Sequence, residues 1–191
     1  IIENGGSAPF TGSGAGIALV YMNYPFNEGY SAQITNSEIS GNIGTVSGGG
    51  LFVHDADLQI INSTISNNSS GYGGGINIIE NSNASIVGSD IFSNHAQASE
   101  GGGIYCNNSI LSIDSSLFED NIAYHTGGAM RIRLSSDVNI SRTLFNNNST
   151  ESDISPHCAG GAIAVNSPNG DANLDIVQST FVNNRSLIGG A

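Results

Sequence analysis

The chain contains no Lys and no Trp, and its four basic residues face 16 acidic ones, which leaves a formal charge of −12. Proteins that bind nucleic acid or anionic membrane surfaces need clustered Lys and Arg to meet the phosphates. We therefore expect neither nucleic acid nor an anionic membrane surface among the partners. A Lys-free sequence rich in Gly, Ser and Asn is also unlike a cytosolic enzyme, and it favours an extracellular or cell-surface location.

Cysteine and long apolar runs are also scarce. The two cysteines, Cys106 and Cys158, do not form a C-x-x-C motif, so no zinc or redox motif is present. No apolar run reaches the ~18 residues that a membrane-spanning helix needs. The N-terminus shows no basic segment followed by an apolar one, so we expect that a secreted form would begin after its signal peptide.

What the sequence has instead is an internal repeat. Each unit carries an apolar anchor three residues before an Asn, as Phe118 stands before Asn121. The first five anchors follow one another at 26 or 27 residues, and the last spacing is 36 residues. The anchors are Ile39, Ile65, Ile91, Phe118, Phe145 and Phe181, and their partners are Asn42, Asn68, Asn94, Asn121, Asn148 and Asn184.

Further positions repeat in step with the anchors. An Ile stands five residues before every anchor, and a Ser or Thr stands two residues before it. A Gly pair in each unit leads into an apolar-x-apolar triplet, such as Met130 with Ile132. This period of two predicts short strands, and no window shows the spacing of an amphipathic helix.

Three short strands per unit, stacked on the equivalent strands of the next unit, predict an all-β fold, the right-handed parallel β-helix. We expect about six coils of ~26 residues. Residues 1–191 then form a single repeat domain, which reads as a segment of a longer chain. Insertions at 20–31, 149–159 and 166–173 interrupt the regular coils. One coil alone buries too little apolar surface to offset its conformational entropy, so stability must come from stacking.

The turns of the coil explain the polar columns. Asn tolerates the left-handed conformation, and its amide can bond the neighbouring turn, so the six Asn partners predict a ladder of stacked amides. The Gly pairs mark sharp turns in which a positive φ costs Gly little. We therefore expect Gly128→Val to disrupt its coil far more than Ser136→Val does.

The two cysteines take different places in this coil. Cys106 falls in an inward column beside Ile78 and Ile132, so we expect a buried thiol. Cys158 lies in the second insertion, almost two coils away, which is too far for a disulfide bond to Cys106.

The motifs themselves resemble a known family. GGAM at 127–130, GGAI at 160–163, FEDN at 118–121, FNNN at 145–148 and FVNN at 181–184 resemble the paired GGA[ILV] and FxxN repeats of the chlamydial polymorphic outer membrane proteins. In that family the repeats form the β-helical passengers of surface autotransporters that act as adhesins. The resemblance implies a pectin-lyase-like β-helix with an adhesive role. The earlier units depart from the pattern, with GGG for GGA and Ile for Phe, and the lack of Lys is unusual for such a passenger.

Enzymatic function is the alternative, because parallel β-helices also include polysaccharide lyases and hydrolases. Their sites need clustered carboxylates, often with Ca²⁺, and a group for proton transfer. Asp55 and Asp57 lie close together and Arg131 and Arg133 point outward from one strand, but the acidic residues do not share one column. We predict a non-catalytic scaffold of a surface adhesin or an extracellular filament, with no metal and no cofactor.

Modification and contact sites are the last predictions. The N-x-S/T sequons at Asn62, Asn83, Asn107 and Asn139 are candidates for glycosylation. Those at Asn68, Asn148 and Asn184 also belong to the ladder, so a glycan there would compete with stacking.

The first insertion is rich in aromatic residues, namely Tyr21, Tyr24, Phe26 and Tyr30. This loop either contacts a sugar or a protein, or packs on the side of the solenoid. The expected partners are other copies of the chain or flanking repeats, stacked end to end, together with glycans or a host surface protein.

Overall fold

The computed structural model describes residues 16–20, 31–152, 159–168 and 171–186. Within them the chain folds into 22 β-strands and no helix, and every strand pair is parallel. The strands stack into four sheets that run along one solenoid. The predicted all-β parallel β-helix is therefore confirmed. In the described part of the chain no helix is long and apolar enough to cross a membrane.

Three of the sheets have six strands and the fourth has four. The first sheet contains β1 (Ile17–Val20), β4 (Leu51–His54), β8 (Ile76–Ile79), β12 (Ile104–Asn107), β16 (Met130–Arg133) and β20 (Ile163–Asn166). The second contains β2 (Ser31–Thr35), β5 (Asp57–Ile61), β9 (Asn83–Val87), β13 (Ile110–Asp114), β17 (Asp137–Ser141) and β21 (Asn173–Val177). The third contains β3 (Glu38–Ser40), β6 (Thr64–Ser66), β10 (Asp90–Phe92), β14 (Leu117–Glu119), β18 (Leu144–Asn146) and β22 (Thr180–Val182). The fourth contains β7 (Ser69–Ser70), β11 (His95–Ala96), β15 (Ile122–Ala123) and β19 (Ser149–Thr150).

The coil count differs slightly from the prediction. Four coils carry a strand in every sheet, which makes about four complete turns, and a three-stranded coil lies at each end of them. The sequence predicts three strands per coil and misses the fourth. A two-residue strand such as β7 or β11 is too short to show any alternation of apolar and polar residues.

The predicted columns are the register of the sheets. The Ile column runs through the second sheet, where Ile34, Ile60, Ile86, Ile113, Ile140 and Ile176 are successive partners. The anchors pair in the same way through the third sheet, from Ile39 to Phe181. Buried side chains on one face specify the register strongly, because a shift by one residue would turn the apolar column outward.

These columns fill a narrow apolar core. Phe118, Phe145 and Phe181 form a continuous stack whose neighbouring ring centroids are 4.8 and 4.7 Å apart. Cys106 is fully buried between Ile78 and Ile132, its partners in the first sheet, as predicted. Each large apolar side chain buried in this way contributes about 1.5–3 kcal/mol.

The turns correct one prediction. The left-handed residue is not the ladder Asn but the residue before it, as in Asn67 (φ 54°) and Asp120 (φ 53°). Residues of several types occupy that position, so its sequence signal is weak. Gly127 does have the expected positive φ of 66°, and the next residue, Gly128, lies against backbone: an added Cβ would come within 2.5 Å of the Ser149 nitrogen.

Ser136 is not the harmless position that the sequence suggested. It is only 1 % exposed, and its hydroxyl donates to the Arg133 carbonyl oxygen at 2.6 Å and accepts from the Ser109 amide at 3.4 Å. Ser136→Val would therefore break a buried hydrogen-bond pair, which makes it unsuitable as a neutral control for Gly128→Val.

Some residues at the ends of the predicted insertions belong to regular strands. Val20 ends β1 and Ser31 begins β2, and the aromatic loop between them lies outside the described residues. Ser149 and Thr150 still form β19 of the regular coil. In the third insertion, Asp171 accepts hydrogen bonds from Ser167 and from Ser135 on the previous coil. These bonds hold the end of the insertion against the solenoid.

Candidate functional site

The Asn column forms a continuous ladder of hydrogen bonds. The Nδ2 group of Asn121 donates to the Ile91 carbonyl oxygen at 2.8 Å and to Asn148 Oδ1 at 3.0 Å. Its Oδ1 accepts from the backbone and side-chain amides of Asn94 at 3.1 and 3.0 Å. The amide-to-amide bonds connect Asn42, Asn68, Asn94, Asn121, Asn148 and Asn184 in order. The ladder thus satisfies buried polar groups and holds successive coils together.

A second ladder runs through the Ser/Thr column. The sequence shows this column, but it does not reveal the hydrogen bonds that its hydroxyl groups form. Each hydroxyl donates to the carbonyl oxygen two residues earlier, and each one after Ser37 accepts a hydrogen bond from the backbone amide of the ladder residue on the preceding coil. Ser89, for example, donates to the Val87 carbonyl oxygen at 2.9 Å, while its amide donates to Ser116 Oγ at 3.2 Å. The ladder members are Ser37, Ser63, Ser89, Ser116, Thr143 and Ser179.

The sequons occupy different environments. Asn62, Asn83 and Asn139 are exposed, and Asn107 is half-buried. Asn68 and Asn148 are buried, and each uses its Nδ2 group for two ladder bonds. Asn184, which is also both a sequon and a ladder residue, is half-buried, and its Nδ2 group donates to the Phe145 carbonyl oxygen. A glycan attaches at Nδ2, so the exposed sequons are the sterically open ones.

A polar groove lies on the outer face of the second sheet. Its volume is about 430 Å³, and Ser31, Gln33, Asp57, Gln59, Asn83 and Ser85 line it together with Ala32 and Leu58. Gln33 Nε2 donates to Gln59 Oε1 at 3.0 Å across neighbouring coils. Asp57 is the single carboxylate among the lining residues of the groove. Asp55 is not one of them and lies in the turn after β4. The groove therefore offers hydrogen bonds to a polar ligand rather than a pair of carboxylates for acid–base chemistry.

The arginine–tyrosine cluster lies on the outer face of the first sheet and consists of Tyr72, Glu100, Tyr105, Arg131 and Arg133. Tyr105 and Arg131 are strand partners, and both are buried although they point away from the core. Tyr72 and Glu100, which each precede a Gly turn, reach the next coil and cover them. The Tyr72 ring meets the Tyr105 ring edge-on at 5.3 Å, and Glu100 Oε2 lies 3.3 Å from Arg131 Nε.

Charges inside this cluster compensate one another in part. Glu100 Oε2 also lies 3.7 Å from an Nη atom of Arg133, so one carboxylate faces two guanidinium groups. Burial raises the pKa of the Tyr105 hydroxyl, and the hydrogen-bonded Arg133 opposes that rise. Burial lowers the pKa of Arg131, and the Glu100 charge opposes the fall. The cluster keeps one net positive charge on a chain that is strongly acidic overall.

Reactive and metal-binding groups are sparse in the residues that the structure describes. No three His, Cys, Asp or Glu side chains there come together in a metal-binding arrangement. Burial raises the pKa of the Cys106 thiol to about 12, which suppresses the nucleophilic thiolate at neutral pH. Of the predicted contact residues, Tyr21, Tyr24, Phe26 and Tyr30 lie outside the described residues.

Comparison with known proteins adds no relative to this picture. No family model, no curated protein and no solved structure matches the chain. What the coils establish by themselves is that the chain is a repetitive parallel β-helix.

Proposed function

We propose that the chain is a non-catalytic, extracellular or cell-surface β-helix scaffold, a section of an adhesin or of an extracellular filament. The resemblance to the adhesive β-helical passengers supports this function, because its Phe, Asn and Gly motifs are the residues that form the stack, the ladder and the turns. The acidic, Lys-free composition supports the location. A polysaccharide lyase or hydrolase is less well supported, because the polar groove offers one carboxylate.

The continuity of the Phe stack and of the Asn ladder through successive coils is the observation that carries the proposal. In the last described coil the core columns are more exposed. Val165 is 45 % exposed and Ile176 is 43 % exposed, although both occupy core columns. Their strand partners on the preceding coil, Ile132 and Ile140, are 0 % and 2 % exposed. Within the described residues, β20, β21 and β22 are each paired on one side. Stacking of another copy or of a flanking repeat in matching register would cover these side chains and pair these strand edges.

Two neighbouring residues of β21 allow a direct test of end-to-end stacking. Ile176 faces the core, whereas Val177 is 56 % exposed on the outer face. We expect the wild-type chain to associate into rods as its concentration rises, in sedimentation velocity and negative-stain images. Ile176→Asp should abolish association, since it places a charge at the end of the core, and Val177→Asp should associate like the wild type. Equal association of the two variants would contradict end stacking.

The choice between filament and adhesin requires the protein as isolated from its source. Cryo-electron microscopy of continuous fibres with coil-on-coil stacking would establish a filament component. Membrane-attached spikes or discrete particles would establish the adhesin. Density on Asn62, Asn83 or Asn139 would identify the chain as a glycoprotein.

A further inference from the structure

The polar groove on the outer face of the second sheet is open to solvent. Its exposed lining residues are Ser31, Gln33, Asp57, Gln59 and Asn83. Ala32 and Leu58 pack inward against the core, so the floor of the groove is strand backbone. The groove crosses β2, β5 and β9 on three successive coils. Its volume of about 430 Å³ lies within the roughly 300–1,000 Å³ of small-molecule sites.

Most hydrogen-bonding groups of the groove are available to a ligand. Gln33 Nε2 donates to Gln59 Oε1 at 3.0 Å, and in the described part of the chain this is the one side-chain hydrogen bond within the lining. It leaves Gln33 Oε1 as an acceptor and Gln59 Nε2 as a donor, and it orients both amides. Asp57 adds a carboxylate acceptor on the same coil as Gln59. Such a mixture of donors and acceptors suits hydroxyl groups, because each hydroxyl both donates and accepts.

The charge of the groove disfavours acidic ligands. The lining contains one carboxylate and no basic residue, and the whole chain has a formal charge of −12. An anion is therefore repelled by Asp57 and by the overall field of the protein.

A peptide fits the groove less well than a sugar does. β5 and β9 are each paired on both sides, so neither offers a free edge to an added strand. The exposed lining side chains are polar and form no apolar pocket for an anchor residue. A neutral sugar needs neither feature. A hexopyranose ring is also about as long as the ~4.8 Å spacing of the coils, so a straight chain places about one sugar on each coil.

We propose that this groove binds a neutral, extended hexose oligosaccharide that lies along the solenoid axis. Asp57 accepts hydrogen bonds from hydroxyls of the central ring, Gln59 Nε2 donates to that ring, and Asn83 bonds the ring on the following coil. This inference rests on the proposed adhesive function and deepens it by naming a ligand class. Asn83 begins a sequon, so a glycan attached there would occupy the groove and exclude the ligand.

The test is a titration of the ¹⁵N-labelled chain, produced in a host without N-glycosylation, with neutral trisaccharides. Cellotriose and β-1,4-mannotriose are extended, whereas maltotriose is curved. We expect at least one extended sugar to shift the amide signals of residues 31–33, 57–59 and 83–85, with a dissociation constant in the millimolar range. Maltotriose should bind at least about threefold more weakly.

The charged probe is the β-1,4-linked glucuronic acid trimer, which differs from cellotriose in carrying carboxylates in place of its CH₂OH groups. It should leave the signals unchanged. No shift with either extended sugar would overturn the proposal. Equal binding of maltotriose or of the acidic trimer would overturn the extended or the neutral ligand class.

Two variants locate the site. Gln59→Ala removes an exposed amide from the middle of the groove and should weaken binding about three- to tenfold. Asn139→Ala is the matched control, because it removes an exposed amide from the same outward column, three coils from Gln59 and outside the groove. This variant should bind like the wild type, and equal weakening by both changes would refute the site. Rod formation is measured separately, so absent sugar binding with intact rods counts against the groove alone.

Discussion

At the scale of single residues, Cys106 shows how position in the coil determines chemistry. Its sulfur lies in the core, 3.8 Å from Ser136 Oγ, and burial raises the pKa of the thiol to about 12. The thiol of an unfolded chain titrates near pH 8.5–9. Between that pH and about 12 the folded state holds a proton that the unfolded state has lost. The stabilisation is thus fully present below pH 9 and is lost as the pH rises toward 12.

We therefore predict that the wild-type chain loses about 3 kcal/mol more stability between pH 8 and pH 11 than Cys106→Ala does. Urea unfolding at both pH values, in a Cys158→Ser background, measures the difference. Tyr105, whose pKa is also raised, titrates in both proteins and cancels in the comparison. Parallel losses in the two proteins would show that the thiol is not shielded by the core.

At the scale of structural elements, the Asn ladder should be intolerant of charge. Asn121 is fully buried and uses both hydrogens of Nδ2. Asn121→Asp removes these donors and places a carboxylate against Asn148 Oδ1. We predict a loss of at least about 3 kcal/mol at pH 7. The loss should shrink in acid, where burial favours the protonated carboxyl group.

The matched control for this change is Asn67→Asp. Asn67 is exposed, has a φ of 54° and stands beside the ladder in an equivalent turn. Asp accepts this conformation, so its cost should stay within about 0.5 kcal/mol. Urea unfolding at pH 7 and pH 4 compares the two variants. Similar stabilities at pH 7 would show that the ladder contributes little to coil stacking.

The inward columns were predictable from the sequence because each repeats one residue type at a fixed spacing. The invariant Ile column and the Phe anchors determine the register without any knowledge of the turns. The fourth sheet was not predictable, since Ser69–Ser70 and His95–Ala96 share no pattern. The left-handed turn residue was missed for a similar reason: Ser93, Asp120 and Asn147 differ in type and share only their backbone conformation.

The arginine–tyrosine cluster was predictable only in part. Alternation along β12 and β16 correctly places Tyr105, Arg131 and Arg133 on the outer face. The burial of Tyr105 and Arg131 depends on Tyr72 and Glu100, which stand in variable segments before the Gly turns and reach the following coil. Such contacts arise from packing between coils of unequal turns, and no repeat in the sequence encodes them.

At the scale of the whole molecule, the solenoid is nearly one-dimensional, because each coil contacts its two neighbours. One coil is then a removable unit if the register is kept. Ile104 pairs with Met130, so deletion of residues 104–129 places Met130 where Ile104 stood and brings Phe145 over Ile91. The deletion removes Asn121 from the Asn ladder, and Asn94 then meets Asn148 in the same register.

We predict that the chain lacking residues 104–129 folds cooperatively, with a strand-type circular dichroism spectrum and a lower urea m-value, since it buries less surface. Deletion of residues 104–116 is the control, because it joins Gly103 directly to Leu117. A strand of the third sheet, β14, then follows the Gly turn at the place where β12 of the first sheet stood. That variant should fail to form a cooperative unit over the joined coils. Folding of both variants would show that stacking tolerates a broken register, whereas unfolding of both would show that the coils depend on contacts beyond their nearest neighbours.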